Sequence, residues 1–135
     1  MDFHSVLTTC PYCAVGCNLL LQVLDGQVVG TLPAKTGPTN AGRLCIKGWN
    51  VHEFVQHKDR LTAPLLRRNG SLKETDWDDA LDYAASELTR LKDAYGPESV
   101  VFAGSARCTN EETYVFQKFA RAVFGHNHID HCARL

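Results

Sequence analysis

The sequence predicts an α/β chain in two parts: a small β-rich N-terminal domain over residues 1–60, and the beginning of an open α/β domain, laid out as β-α-β, over residues 61–135. Three observations predict it. Four of the six cysteines are spaced C-x2-C-x3-C-x27-C at Cys10, Cys13, Cys17 and Cys45. Asp25-Gly26 stands between two apolar runs, the short-range signature of a hairpin. From Thr75 onward, apolar residues recur at three- and four-residue steps, the period of a helix.

Ser5 to Thr9 reads as a short strand leading into the cysteine loop, where Pro11 biases Cys10 towards extended backbone and Gly16 permits a tight turn. Asn18–Leu24 and Gln27–Leu32 form the two strands of the hairpin, which brings the chain back towards its start. Pro33–Arg43, rich in Gly, Pro, Thr and Asn, is a loop that delivers Cys45 to the other three cysteines. Lys47–His57 suits a short helix, Asp59–Leu66 an extended connector, and Asn69-Gly70 the turn of a second small hairpin. Trp77, Ala80, Leu81, Ala84, Leu88, Leu91 and Tyr95 share one face of a long amphipathic helix, capped by Thr75 with Asp78 and closed by Gly96-Pro97. Ser99–Ala103 reads as a buried strand. Thr109-Asn110-Glu111-Glu112 is a capping box opening a helix that Gly125 closes, and His128–Cys132 begins another strand. A lone β-α-β unit cannot cover both faces of its sheet.

The bulk properties exclude several classes. Hydrophobic residues make up 44% of the 135 residues and charged residues 21%, with a net charge of -1. No basic stripe is present, so nucleic acid is not an expected partner. No apolar run approaches a membrane span. Met1–Ser5 has neither a basic segment nor an apolar one of the kind that directs export, so the expected location is the cytoplasm. Thiols stay reduced there, and a cysteine cluster more often binds metal than forms disulfides.

Four thiolates satisfy either a tetrahedral zinc ion or the four irons of a cubane. Zinc sites commonly use two C-x2-C pairs. Here three cysteines share one loop and the fourth stands alone, which suits an object larger than one ion. An iron–sulfur cluster therefore leads, with zinc and buried or disulfide cysteines as alternatives. The functions that follow are a small electron carrier or a zinc-stabilised binding module. Cys108 and Cys132 have no partner at ligand spacing and read as small buried hydrophobes. His126, His128 and His131 read as polar surface or interface residues rather than a metal site. Lys47, taken alone, reads as solvated. Arg107 to Asn110 precede a helix directly after a strand, where α/β sheets bind phosphate groups.

C-x2-C-x3-C-x27-C followed by Lys47-Gly48 resembles the N-terminal iron–sulfur domain of the molybdopterin oxidoreductases, the dimethyl sulfoxide reductase superfamily. Arg60-Leu61-Thr62-Ala63-Pro64-Leu65 and Thr75-Asp76-Trp77-Asp78-Asp79-Ala80-Leu81 resemble the next two segments of that family. Ser105–Glu112, Gln117–Arg121 and Asp130–Leu135 resemble the catalytic subunits of cytoplasmic formate dehydrogenases. The resemblance implies a 4Fe-4S cluster on Cys10, Cys13, Cys17 and Cys45, with Lys47 as the electron relay between cluster and pterin. It implies contacts from Arg107 and Asn110 to a bis-molybdopterin guanine dinucleotide cofactor carrying molybdenum or tungsten. Formate and carbon dioxide would be the substrates. The electron partners would be iron–sulfur subunits, a hydrogenase or an NAD(P)-reducing module. Where the family tends to have Gly-Thr-Asn-Asn, this chain has Gly125-His126-Asn127-His128.

In that family the residue after Cys-Ala-Arg-Leu is the metal-binding cysteine or selenocysteine. No catalytic residue is then expected within the chain, and the expected one is position 136, read as selenocysteine in a longer protein. The gene tests this: a UGA codon should follow Leu135, with the reading frame continuing beyond it. A sense codon there, or a stop with no matching frame downstream, would sink the expectation.

Overall fold

The structure, a computed structural model, describes residues 1–132; the end of the last resembling segment, Ala133-Arg134-Leu135, lies outside the described residues. The predicted class is the observed one, a β-sheet N-terminal region followed by a mixed region of helix and strand. The chain forms two compact units. One comprises Met1–Arg60, Gly104–Phe116 and the stretch from His131; the other comprises Leu61–Ala103 and Gln117–Asp130.

In the first unit, β1 (Phe3–Thr9), β2 (Asn18–Leu24) and β3 (Gln27–Pro33) form an antiparallel sheet in the order β1-β2-β3. Asp25 and Gly26 both have positive φ, 48° and 80°, as a two-residue turn matching the twist of its strands requires. The pairing of β1 with β2 was not part of the sequence reading. It makes the cysteine loop itself the connection of a hairpin, with Thr9 opposite Asn18. Two short helices, α1 (Ile46–Trp49) and α2 (Val51–Val55), replace the single predicted one, because the backbone breaks at Asn50. Cys10, Leu19 and Val51 form the buried centre, with Tyr12, Cys17, Leu21, Leu44 and Phe54 packed against it. His52 on α2 meets the buried Thr31 hydroxyl on β3 at 3.2 Å, fixing helix to sheet.

In the second unit, β4 (Leu65–Arg68) and β5 (Ser71–Glu74) form the predicted small hairpin, with Asn69 and Gly70 again at positive φ. Helix α3 (Trp77–Tyr95) is capped one residue later than the sequence suggests. The Asp76 carboxylate accepts the Asp79 N–H at 2.8 Å, while the Thr75 hydroxyl donates to the Asp79 carboxylate at 3.3 Å. A carboxylate is the stronger acceptor at the positive end of a helix. The face expected to be apolar core is open here, with Trp77 68% and Leu81 60% exposed. The predicted strand at 99–103 is also shifted. Pro97–Ser99 form a 3-10 turn, which Pro97 favours at its first position, and the strand β6 is Phe102–Gly104.

Helix α4 (Asn110–Phe119) opens with the predicted box. The Thr109 hydroxyl accepts the Glu112 N–H at 3.2 Å, and the Glu112 carboxylate accepts the Thr109 N–H at 2.7 Å. The helix then widens into a π turn, Ala120–Phe124, ended by Gly125 at φ 77°. The turn buries both Ala120 and Phe124. Phe102, Phe119 and Phe124 meet edge to face, with centroids 5.1 to 5.9 Å apart. Strand β7 (Ile129–His131) pairs with β6. His126 departs from the surface reading: it is 9% exposed and sits against Phe102 and Phe124. Its Nδ1 accepts the His128 N–H at 3.2 Å, which leaves Nε2 to donate to the Pro97 carbonyl at 2.8 Å. Burial is tolerable because both ring nitrogens are satisfied.

Leu19, with no exposed surface, is the central apolar side chain of the first unit. Leu19→Ala is expected to cost about 2–5 kcal/mol of that unit's stability, read as a lowered unfolding midpoint of the full chain.

Candidate metal centre

Cys10 directly follows β1 and Cys17 directly precedes β2, so the antiparallel pairing holds both ends of the loop together. The Cys10 N–H donates to the Cys17 carbonyl at 2.8 Å and closes it. Gly16 takes φ 74°, a conformation costly for a side-chain-bearing residue, and lets the chain reverse between Cys13 and Cys17.

Cys45 arrives by a different device, which the sequence reading missed. The buried Asn40 brackets the start of β2. Its carboxamide oxygen accepts the Asn18 N–H at 3.0 Å, and its nitrogen donates to the Asn18 carbonyl at 3.1 Å and the Arg43 carbonyl at 2.8 Å. The loop after β3 is thereby tied beside Cys17, and Cys45 follows two residues after Arg43. Gly37 is required for this, since a Cβ there would collide with the Asn40 carboxamide. A lone Asn in a Gly- and Pro-rich loop gives no sequence signal of such a role; the close approach of Gly37 is the nearest to one.

Cys10, Cys13, Cys17 and Cys45 line one cavity of about 270 Å³, together with Tyr12, Leu44, Lys47, Gly48, Ala106 and Arg107. Among the described residues, no three of His, Cys, Asp and Glu are arranged to hold a single ion. The four thiols surround a volume instead. Burial, and then the charges of Cys13 and Cys45, push the Cys10 thiol up against the opposing Tyr12 N–H. Burial and the charges of the other three push Cys17 up as well. Cys45 is held down by the backbone N–H groups of Gly48 and Lys47, and then by the Lys47 charge. The donor set therefore combines thiols that repel one another as anions with N–H groups that favour a thiolate. Such a donor set is chemically suited to a cationic metal group, which would supply the missing positive charge.

Lys47 lies at the cavity with its Nζ 5.9 Å from the centre of the Tyr12 ring, within cation–π range. Arg107 lines the same cavity. Asn110 is not in that lining; its carboxamide nitrogen donates to the Ala14 carbonyl in the cysteine loop at 2.9 Å. Cys108 is half-buried. Cys132 is exposed rather than buried as expected, because it follows β7 directly and its sulfur faces polar groups. The Ala106 N–H at 3.5 Å and then the Ser105 hydroxyl hold its thiol below the ordinary range.

Two family models match the chain: the molybdopterin oxidoreductase Fe4S4 domain over residues 3–57, and the molybdopterin oxidoreductase domain over residues 60–135. The F420-dependent formate dehydrogenase 1 subunit alpha of Methanococcus maripaludis is 53% identical over 135 residues, which is 100% of this chain and 19% of that protein. Formate dehydrogenase H of Escherichia coli is 45% identical over 96% of this chain and 19% of its own length. The chain thus spans about a fifth of the length of these relatives. Among solved structures, the acetylene hydratase of Pelobacter acetylenicus superposes with a TM-score of 0.71 at 23% identity, covering 93% of this chain and 18% of that one, a likeness of fold.

The Asn40 bracket makes a direct expectation. Asn40→Ala removes the acceptor of the Asn18 N–H, the carboxamide donor of the Arg43 carbonyl and one of the two donors to the Asn18 carbonyl, which keeps the Ala34 N–H, and should cost about 1–3 kcal/mol. Gly37→Ala, which displaces the same carboxamide, should lower the unfolding midpoint of the full chain in the same direction.

Proposed function

The chain belongs to the molybdopterin oxidoreductases, and from that premise we propose that it is the N-terminal part of a formate dehydrogenase catalytic subunit, carrying a 4Fe-4S cluster on Cys10, Cys13, Cys17 and Cys45. The observation that carries this reading is the set of four thiols around one cavity, in a chain whose full length aligns with formate dehydrogenase alpha subunits. Four sulfurs about 2.3 Å from one zinc ion would crowd within about 4 Å of one another. A cavity of about 270 Å³ is sized for a larger guest.

A pterin-held molybdenum or tungsten would supply the two-electron oxidation of formate to carbon dioxide and a proton, and a 4Fe-4S cluster held by Cys10, Cys13, Cys17 and Cys45 would supply single-electron transfer. The residues of this chain hold and tune. The sheet and the Asn40 bracket bring the cysteines to one volume. Lys47, beside Cys45 and over Tyr12, is the relay residue towards the pterin. Its cation stabilises added electrons on its neighbours. Arg107 offers a second cation to the anionic guanine dinucleotide cofactor. Electrons would leave to iron–sulfur partner subunits, and beyond them to a hydrogenase or an NAD(P)-reducing module. No helix among the described residues is long and apolar enough to cross a membrane. We place the protein in the cytoplasm, where thiols stay reduced.

The full-length subunit, purified without air, is expected to show broad visible absorption that formate partly bleaches, and Cys45→Ser to lose about four irons per chain. A colourless protein with stoichiometric zinc would remove the redox reading.

A further inference from the structure

We propose that Asn110 is a positioning residue for the cluster: its side chain holds the peptide between Cys13 and Cys17 in place, so that the first turn of α4 acts as a strut for the cysteine loop. The inference rests on the cluster reading above and deepens it.

The geometry is specific. The Asn110 carboxamide nitrogen lies 2.9 Å from the Ala14 carbonyl oxygen, across 96 residues of sequence. Ala14 stands between two proposed ligands. The loop's own closure, from the Cys10 N–H to the Cys17 carbonyl, fixes its base. Its apex is not fixed by packing: Val15 is exposed, and nothing lies within 4 Å of where a Cβ would stand on Gly16. Asn110 supplies the anchor there. A peptide unit is planar, so a hydrogen bond to the Ala14 carbonyl also sets the direction of the Val15 N–H. The end of α4 that carries Asn110 is itself rigid, because the Thr109–Glu112 box fixes both residues' backbones at 2.7 and 3.2 Å. Ala106 and Arg107, just before it, line the cysteine cavity. The segment from 106 to 110 thus touches the site twice, with Ala106 and Arg107 in the cavity lining and Asn110 bonded to the loop that holds the proposed ligands.

The resemblance to formate dehydrogenases implies a different duty for Asn110, a contact to the guanine dinucleotide. The two duties separate experimentally. In the full-length holoenzyme, Asn110 is changed to Ala, and to Asp, which keeps the shape but cannot donate when ionised. Asn110 is exposed, so neither change opens the core. Three quantities are read: the rate at which a chelator bleaches the cluster, the electron paramagnetic resonance of the reduced cluster, and the guanine nucleotide released per chain. Both variants should lose the cluster about 10-fold faster, with a shifted or broadened resonance and unchanged nucleotide. Unchanged bleaching and resonance in both variants would overturn the strut, as would loss of nucleotide with the cluster intact. A wild-type holoenzyme without iron would overturn the cluster reading itself, and the strut with it.

Discussion

The site depends on one buried carboxamide. Three thiols at Cys10, Cys13 and Cys17 are brought together by local chain reversal, but the fourth is 28 positions beyond Cys17 and must return through a loop with no regular structure. Such a loop has a large conformational entropy to lose. Asn40 offsets it with three hydrogen bonds, two of them to the single residue Asn18 that follows Cys17. Ala41 and Gly42 take positive φ, 44° and 76°, and turn the chain back towards Arg43. The Ala34 N–H to the Asn18 carbonyl at 3.1 Å closes the other end of the loop on the same residue. Asn18 is thus the fixed point between the cysteine loop and the loop that delivers Cys45.

That arrangement places four thiols in one partly desolvated volume, which is unfavourable for the protein alone. Burial first, and then the charges of neighbouring thiolates, push the Cys10 and Cys17 thiols up. The compensations are the backbone N–H groups of Gly48 and Lys47 in α1 and the Lys47 charge, all acting on Cys45. These favour some anionic charge without neutralising four thiolates. A cationic group held among these thiols, as proposed, would offset that charge. A cation beside a partly buried centre acts through a lower dielectric than water, which is the physical ground of the tuning role proposed for Lys47.

What was legible in the sequence was local. Asp25-Gly26 and Asn69-Gly70 named their hairpins, because positive φ at both positions is a property of the dipeptide. The Thr109–Glu112 box named the start of α4, and cysteine spacing named the loop that wraps the site. What was not legible depended on partners far along the chain. Asn40 acts through Asn18, 22 residues away. The burial of His126 follows from a π turn that swings Phe124 and the histidine together, with Pro97 waiting as an acceptor 29 residues earlier. The cap of α3 lies one residue beyond the expected one because Thr75 and Asp76 are both good caps, and the Asp76 carboxylate takes the Asp79 N–H while Thr75 bonds the Asp79 side chain instead.

Asn110 shows how a departure from a local rule can itself be informative. The first turn of a helix favours acidic side chains, by about 0.3–1 kcal/mol each. Glu111 and Glu112 follow that rule. Asn110 stands at the first helical position, where Asp would serve the helix better and differ by one atom. Only the carboxamide, however, can donate to a carbonyl, and a carboxylate placed 2.9 Å from the Ala14 oxygen would be repelled by it. The helix gives up a favourable charge to make a bond outside itself. A residue that is second best for its own element and well suited to a distant one marks where a tertiary requirement has overridden a local preference. Here that requirement belongs to the loop between Cys13 and Cys17.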